Sequence, residues 1–320
     1  MEFTIFLVYI GENFMKKNKE LVYLEIAHIR KVELPSDVEN RLYYLLRGYN
    51  GEKMVLDWLI KFGSETWEII GDYWFDNGKR LQADFIVITK DTWYVLEVKN
   101  YDGDFQYLDY DCVLNGKLLK DNIVTKMQER INRLTHMASE IPHSVNVTGA
   151  MIFINEHSQV SLDTKVNYDV VLRHQLRSYI KNIKDKSDFP LKASYLKDCH
   201  EVLNRYRVAN PFQPESLQVE SFSGIPKGIT CCQCHSFNMI AKHQSIECRK
   251  CGVRETKAKA ILRAAYHLRI LYFDNPQMLT PRNIYDFMGG MIGITSIKKI
   301  MNKHYEKVGG INKYYYKMHV

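Results

Sequence analysis

Residues 81–99 decide the fold of the first part of the chain; they read LQADFIVI, then TKD, then TWYVLEVK. Both apolar runs are rich in β-branched and aromatic residues and have the length of a strand. The segment therefore predicts two paired antiparallel strands joined at the TKD turn. Asp84 lies in the first run, and Glu97 and Lys99 lie in the second. Charged side chains in such strands are costly to bury unless they bind charged partners.

These three charged residues indicate a metal site. Glu97 and Lys99 are two positions apart, so both face the same side of their strand. If the hairpin closes at the turn, Asp84 falls roughly opposite Glu97, and the two carboxylates can share one hard cation, Mg²⁺ or Mn²⁺. Such an ion lowers the pKa of its water and grips a phosphate, and the lysine can hold or deprotonate the water or offset developing charge. The alternative is an ordinary cross-strand salt bridge.

Three segments in order resemble a known family. GYNGE at 48–52 opens a helix, QADFIV spans 82–87, and LEVKNYDG spans 96–103. In this order they resemble the nuclease-related domain, NERD, a branch of the PD-(D/E)xK nuclease superfamily, over roughly residues 41–155. The resemblance implies an α/β fold with a mixed β-sheet flanked by helices, a restriction-endonuclease-like core, and metal-dependent nuclease activity.

The resemblance also implies roles for single residues. Asp84 and Glu97 would be ligands of Mg²⁺ or Mn²⁺, and Lys99 would be the catalytic lysine. Glu52 matches an early glutamate of the family and could complete the metal shell. Its alternative role is that of an acidic residue in the first turn of a helix, where it complements the helix dipole.

Gln128 matches a glutamine that these nucleases carry on a helix after the core strands. Its alternative is an exposed helix residue. The family often has an asparagine-proline pair shortly before that glutamine, whereas this chain has DNIV at 121–124. The register of the helix, and with it the role of Gln128, therefore stays open.

Composition describes a folded globular protein with room for two or three domains. The chain has 320 residues, of which 46% are hydrophobic and 12% aromatic. There is no run of about 18 apolar residues, so we expect no membrane span. The apolar start lacks a basic region before it and a small-residue cleavage site after it, so no signal peptide is expected. We expect a cytoplasmic protein.

Positive charge is concentrated at the C-terminal end. Residues 226–320 carry 16 basic and 5 acidic side chains, whereas the whole chain has a net charge of +7, so the rest is net negative. This asymmetry predicts contact with a polyanion, which is DNA or, as a second candidate, RNA, and a solvated basic surface is the alternative.

Four cysteines predict a structural zinc site. Cys231 and Cys234 form one C-x2-C pair, and Cys248 and Cys251 form another 13 residues further on. This is the spacing of a four-cysteine zinc ribbon, in which each pair makes a tight knuckle around one Zn²⁺. Cys232 is ambiguous, since it could replace its neighbour only with poorer geometry. A redox C-x-x-C pair is the competing interpretation.

The C-terminal tail has the pattern of a helix-turn-helix. Thr280 can cap a first helix that ends at Gly289, and a second helix follows a glycine-containing turn. One face of the second helix is basic and predicts nucleic-acid contacts by Lys298, Lys299 and Lys303. Residues 307–317, with three tyrosines, could form a wing along a phosphate backbone. A small helical packing module is the alternative.

The periodicity predicts finer features within the core. A helix from Val38 is interrupted or restarts near Gly48 and ends at Gly63. Residues 104–114 form a fourth strand, and residues 173–205 are helical and polar.

We therefore expect five regions, which are an N-terminal strand and connecting segment (1–40), a nuclease-related core (41–205), a linker (206–227), a zinc ribbon (228–255) and a basic helical domain (256–320). The predicted function is phosphodiester hydrolysis, most simply of DNA. The alternatives are a non-catalytic DNA-binding or regulatory protein and a protein-interaction scaffold on a nuclease-like core. The sequence leaves the oligomeric state open.

Overall fold

A computed structural model describes residues 17–212, 224–310 and 313–318. The chain divides into two compact units, Tyr44–Pro211 and Asn18–Tyr43 with Phe212–Val320. Within the described residues, no helix combines the length and apolar character that a membrane crossing requires.

The helices and strands account for most of both units. The helices are α1 (Lys19–Ile29), α2 (Ser36–Phe62), α3 (Ile123–Ala138), α4 (Arg173–Ser187), α5 (Ala193–Tyr206), α6 (Lys257–Leu271), α7 (Pro281–Phe287) and α8 (Ile294–His304). The strands are β1 (Glu68–Asp76), β2 (Arg80–Ile88), β3 (Thr92–Lys99), β4 (Asp104–Leu108), β5 (Asp111–Leu114), β6 (Lys117–Leu118), β7 (Asn146–Phe153), β8 (Gln159–Leu162), β9 (Asp169–Leu172), β10 (Met239–Ala241), β11 (Ser245–Cys248), β12 (Arg254–Thr256), β13 (Glu306–Gly309) and β14 (Tyr314–Lys317).

A five-stranded mixed sheet, in the order β1-β2-β3-β7-β9, forms the centre of the first unit. The predicted hairpin of β2 and β3 is confirmed, and Thr89 N donates to Thr92 O at 2.9 Å to close it. The chain then crosses through α3 to β7, which pairs in parallel with β3, because parallel neighbours need a long crossover connection. The α/β fold class with a helix-flanked mixed sheet is thus confirmed.

Helices cover both faces of this sheet. Apolar side chains of α3 and α5 pack on one face, with Trp93 and Val95 of β3 in the same cluster. The alternate β3 residues Leu96 and Val98 face the other side, where α2 and α4 pack. Glu97 and Lys99 continue the odd-numbered series of β3, so their side chains are on the α3 side.

Helix α2 is continuous over 27 residues, so the predicted break near Gly48 was wrong. A Cβ added to Gly48 would meet no atom within 4 Å, whereas one added to Gly51 would lie 3.0 Å from both Asn100 Cβ and Ile154 Cγ2. The glycine at 51 therefore permits a close approach of the helix to the sheet edge, and neither glycine ends the helix.

Residues 104–114 are two strands and not the single predicted strand. The residues Asp109 and Tyr110 have φ values of 49° and 67° and turn the chain between β4 and β5. With β6 and β8 these strands form a second sheet in the order β6-β5-β4-β8. The stretch 173–205 likewise divides into α4 and α5.

The second unit begins with α1, where we expected a connecting segment; that expectation was wrong. Asn18 Oδ1 accepts from Leu21 N at 2.7 Å and caps the helix. At its end, the fully buried Arg30 donates to the carbonyl oxygens of Gly228 and Phe287 at 2.8 and 3.1 Å. The N-terminal strand that we expected before residue 11 lies outside the described residues.

The C-terminal part of the second unit contains a three-stranded sheet, β10-β11-β12, followed by α6, α7, α8 and the β13–β14 hairpin. The predicted cap of α7 is confirmed, since the Thr280 hydroxyl accepts from Asn283 N. Tyr316 N in the hairpin donates to Leu279 O at 2.9 Å, and Tyr316 Oη donates to Asn302 Oδ1 at 3.0 Å. These bonds attach the hairpin to the segment before α7 and to α8.

Candidate active site

Two buried acids lie where the β2–β3 ladder ends. The last pair of the ladder is Phe85 with Leu96, so Asp84 and Glu97 follow next on their strands. Asp84 Oδ2 accepts from Val98 N at 2.7 Å. The exposed fraction is 8% for Asp84 and 3% for Glu97, so water screens neither carboxylate well.

The carboxylate of Glu97 has two cationic partners on one oxygen. Lys99 Nζ lies 2.7 Å and Arg130 Nη2 lies 3.2 Å from Oε1 of Glu97. The second oxygen, Oε2, is buried and has no hydrogen-bond partner among the described residues. A buried carboxylate oxygen without a partner is costly, so this atom is suited to receive a cation.

Burial and mutual repulsion set the charge state of this cluster. Burial, and then the carboxylate of Glu97, raise the pKa of Asp84 to about 7. Burial would also raise the pKa of Glu97, but the positive charges of Lys99 and Arg130 outweigh it and lower the pKa. Burial would lower the pKa of Lys99, but the carboxylates of Glu97 and Asp84 raise it. Glu97 and Lys99 therefore form an ion pair at neutral pH.

The acids open on a cavity of about 1100 Å³. Glu52 of α2 lines it, and burial, followed by repulsion from Asp84, raises the pKa of Glu52 well above its usual value. The cavity is also rich in basic side chains, which are Arg47, Lys99, Lys120, Lys126 and Arg130. With Asp102 and Asp121, five acidic and five basic side chains line the cavity. Such a mixed lining can hold a hard cation together with an anionic ligand.

Gln128 does not line this cavity. Its Nε2 donates to Asn132 Oδ1 at 2.9 Å on the same helix. Lys126 and Arg130, four residues apart on α3, line the cavity instead, because residues at i and i+4 share a helix face. Arg130 lies within the apolar stripe of α3, next to Ile131, which was a sequence signal for a buried functional arginine.

Asp72 is a further residue that the sequence did not single out. Its φ of 46° interrupts the β1–β2 ladder, and its Oδ1 accepts from Trp74 Nε1 and Gln82 Nε2, both at 2.8 Å. The backbone carbonyl of Gln82 in turn accepts from Nε of Arg130. The unusual backbone of Asp72 thus orients Gln82, which lines the cavity.

Comparison with protein-family models decides the nature of this part of the chain. Residues 47–154 match the family model of the nuclease-related domain. The chain contains a NERD domain. The match covers about a third of the chain and includes every residue described above around the cavity. No curated protein and no solved structure gives a significant match to the chain.

A four-cysteine cluster lies outside the NERD domain, in the second unit. The Sγ atoms of Cys231, Cys234, Cys248 and Cys251 lie within 4.8 Å of one another. Two of the Sγ pairs, Cys231–Cys251 and Cys234–Cys248, are 3.6 Å apart. Tetrahedral zinc with four thiolates requires Sγ separations of about 3.8 Å, so the cluster could hold such an ion. The exposed Cys232 is not part of it.

The backbone around the cluster favours thiolates. The amides of Gln233 and Cys234 donate to Cys231 Sγ at 3.3 and 3.5 Å. Burial would raise the pKa of Cys248, but the amides of Cys251 and Lys250 lower it to about 7. The amide of Val253 would lower the pKa of Cys251, but burial and the other thiols of the cluster raise it to about 12 while no ion is bound. Thiolates are the form that binds metal, and N–H donors aimed at sulfur stabilise them.

The predicted nucleic-acid lysines lie on the exposed face of α8. The apolar residues Ile297 and Met301 are buried, whereas Lys298, Lys299 and Lys303 on the same helix are exposed. In the adjoining hairpin, Lys307 Nζ lies 4.8 Å from the ring centroid of Tyr314. Lysine and tyrosine side chains thus lie near each other at this end of the second unit.

Proposed function

We propose that this protein is a metal-dependent nuclease, in which Asp84 and Glu97 of the NERD domain hold Mg²⁺ or Mn²⁺. One observation carries the proposal: Oε2 of Glu97 is buried without a hydrogen-bond partner among the described residues, next to a second buried acid in a cavity that basic side chains also line. Oxygen atoms of carboxylates are the ligands that these hard cations prefer. The high pKa of Asp84 fits the same proposal, because a bound cation would offset the repulsion that raises it.

The residues fit a hydrolytic site around such an ion. When bound, the ion supplies a water of lowered pKa and a positive charge that polarises the phosphate. Hydrolysis would add the oxygen of a water molecule to phosphorus and break one ester P–O bond, releasing an alcohol. Lys99, held in its charged form by Glu97, offsets the negative charge that develops on the phosphate oxygens. Glu52 adds a third carboxylate at the cavity wall.

We propose DNA as the substrate, with RNA as the alternative. The second unit supplies exposed lysines on α8 and the lysine and tyrosine side chains of the hairpin, which suit a phosphate backbone. We further propose one Zn²⁺ in the four-cysteine cluster, as a structural ion that stabilises the ribbon strands. Thiolates of this kind persist in a reducing compartment, which is consistent with a cytoplasmic protein.

A cleavage assay on linear and circular DNA tests the proposal. Each reaction contains Mg²⁺, Mn²⁺ or EDTA, and an RNA of the same sequence is assayed in parallel. We expect cutting by the wild type with metal, and its loss in EDTA and in Asp84→Ala and Glu97→Gln. Glu129→Gln is the matched control, because Glu129 pairs with Lys79 and Arg133 and does not line the cavity. Equal cutting by all four proteins would mean a contaminant or another site. Retained DNA binding without any cutting would identify a non-catalytic DNA-binding protein.

A further inference from the structure

Arg130 of α3 carries one buried nitrogen atom that forms no hydrogen bond with any described residue. Its Nε donates to Gln82 O, and its Nη2 lies 3.2 Å from Glu97 Oε1. Its Nη1 is buried and has no hydrogen-bond partner in the part of the chain that the structure describes. If Arg130 only positioned Glu97, this unpaired donor would remain an uncompensated cost.

The charges around Asp84 and Glu97 also indicate that an anion could bind here. Glu97 is already paired with Lys99, so Arg130 is a second cation on one carboxylate. When all three are ionised, the acids Glu52, Asp84 and Glu97 and the bases Lys99 and Arg130 sum to one negative charge. A divalent cation in this cluster would leave one positive charge to be balanced. A phosphodiester carries one negative charge and would balance it.

We propose that Arg130 forms a phosphate subsite, in which its Nη1 donates to a non-bridging oxygen of the scissile phosphodiester. The inference rests on the proposed nuclease function and names a further residue that would touch the substrate. A guanidinium suits this task, because its planar donors match phosphate oxygens and its charge does not titrate near neutral pH.

Two buried atoms of the Glu97–Arg130 ion pair are suited to ligands of opposite charge. Within the described ranges, Oε2 of Glu97 is an acceptor without a partner and Nη1 of Arg130 is a donor without one. The first is suited to a cation and the second to an anion, so the pair is matched to a cation that carries a phosphate. Lys126 lines the cavity one helical turn away on α3, where its Nζ pairs with Asp121 Oδ1 at 2.8 Å.

Calorimetric titration of inorganic phosphate into the Mn²⁺-loaded, full-length protein tests the subsite without any cleavage. We compare the wild type with Arg130→Met and Arg130→Lys. Arg133→Met is the matched control, because Arg133 is on the same helix but bonds Glu129 and Asn77 outside the cavity. Thermal unfolding and Mn²⁺ affinity are measured for each variant.

The subsite requires phosphate affinity to fall about tenfold in Arg130→Met, the effect of one charge-assisted hydrogen bond, with a smaller loss in Arg130→Lys. Mn²⁺ affinity should stay within about threefold of the wild type, and Arg133→Met should bind phosphate normally. If the methionine variant fails to fold, the lysine variant decides, since it retains the charge but lacks the guanidinium fork.

Two results would overturn the subsite. The first is that either variant, Arg130→Lys or Arg130→Met, binds phosphate with the affinity of the wild type. The absence of measurable phosphate binding by all three proteins counts as the same result. The second is a parallel loss of Mn²⁺ affinity, because Arg130 would then act only by ordering Glu97. Failure of the nuclease proposal looks different: the wild type would bind Mn²⁺ and phosphate but would not cut DNA or RNA.

Discussion

Lys99 and Glu97 form an ion pair within one strand, with Nζ of the lysine 2.7 Å from Oε1 of the glutamate. The pairing follows from their spacing, since side chains two residues apart in a strand face the same side. It fixes a positive charge next to the carboxylate that we propose as a metal ligand. Burial would lower the pKa of Lys99, but the carboxylates of Glu97 and Asp84 raise it and favour the charged form, so we propose that the lysine offsets charge on a bound phosphate.

Replacing Lys99 with methionine should lower the rate of DNA cleavage about 10²- to 10³-fold, the usual effect of removing one donor to developing charge. The loss should appear in kcat with little change in DNA affinity, because the second unit supplies most phosphate contacts in our proposal. Steady-state cleavage rates measure it. Lys79→Met is the control, since Lys79 is an exposed partner of Glu129. A Lys99→Met protein with wild-type kcat would exclude the catalytic role.

Asp84→Asn should stabilise the metal-free protein while abolishing metal-dependent cleavage. Asparagine retains the acceptor for Val98 N and removes a buried charge. The folded-state pKa of Asp84 is raised to about 7 from an ordinary value near 4, so ionisation opposes folding as pH rises between these values. The stability advantage of the variant should therefore grow from pH 4 to pH 7, by at most about 1.4 kcal/mol per pH unit.

Urea unfolding in EDTA at several pH values measures this difference for the first unit. Tryptophan fluorescence follows the transition, because all four tryptophans, Trp58, Trp67, Trp74 and Trp93, lie in the first unit. A constant difference between wild type and Asp84→Asn across this pH range would contradict the raised pKa.

Cys248→Ser should release the ion that we propose in the cysteine cluster. The purified wild type should contain one equivalent of zinc per chain, and the variant close to none, because three thiolates bind zinc far less tightly than four. Hydrogen exchange should then increase in β10, β11 and β12, whereas the sheet of the first unit stays protected. Cys232→Ser should retain its zinc, because Cys232 is outside the cluster. Folded wild-type protein without zinc would count against the ribbon.

Changing Lys298, Lys299 and Lys303 together to glutamine should weaken binding to DNA of any sequence. Each phosphate contact contributes about 0.9 to the slope of log affinity against log salt, so the slope should fall by about 2 to 3. Fluorescence anisotropy over a salt series measures it. A triple change of the exposed Lys181, Lys186 and Lys192 to glutamine is the control with the same change in net charge. Equal slopes for the two triple variants would show that α8 does not contact the backbone.

Much of the sheet could be predicted because local patterns specify it. The β-branched runs at 81–88 and 92–99 and the short turn between them fix the hairpin, and the spacing of Glu97 and Lys99 fixes their common face. The cysteine spacing likewise predicted the cluster, since C-x2-C knuckles are local structures.

The residues that were missed depend on helix register or on distant contacts. Gln128 was chosen by family resemblance, although the apolar stripe through Met127 and Ile131 already turned the neighbouring Arg130 inward. Helix α1 was missed because its partners lie more than 190 residues further along the chain, as the bond from Arg30 to Gly228 illustrates. No local pattern specifies such a contact.

Titration of Mn²⁺ into zinc-loaded protein, otherwise stripped of divalent ions, tests the central proposal most directly, with Glu97→Gln and the control Glu129→Gln beside the wild type. We expect a Mn²⁺ site in the wild type and in Glu129→Gln, and its loss or a weakening of at least about tenfold in Glu97→Gln, because a charged oxygen ligand is removed. Equal Mn²⁺ affinity in all three proteins would contradict the assignment of Asp84 and Glu97 as the metal site.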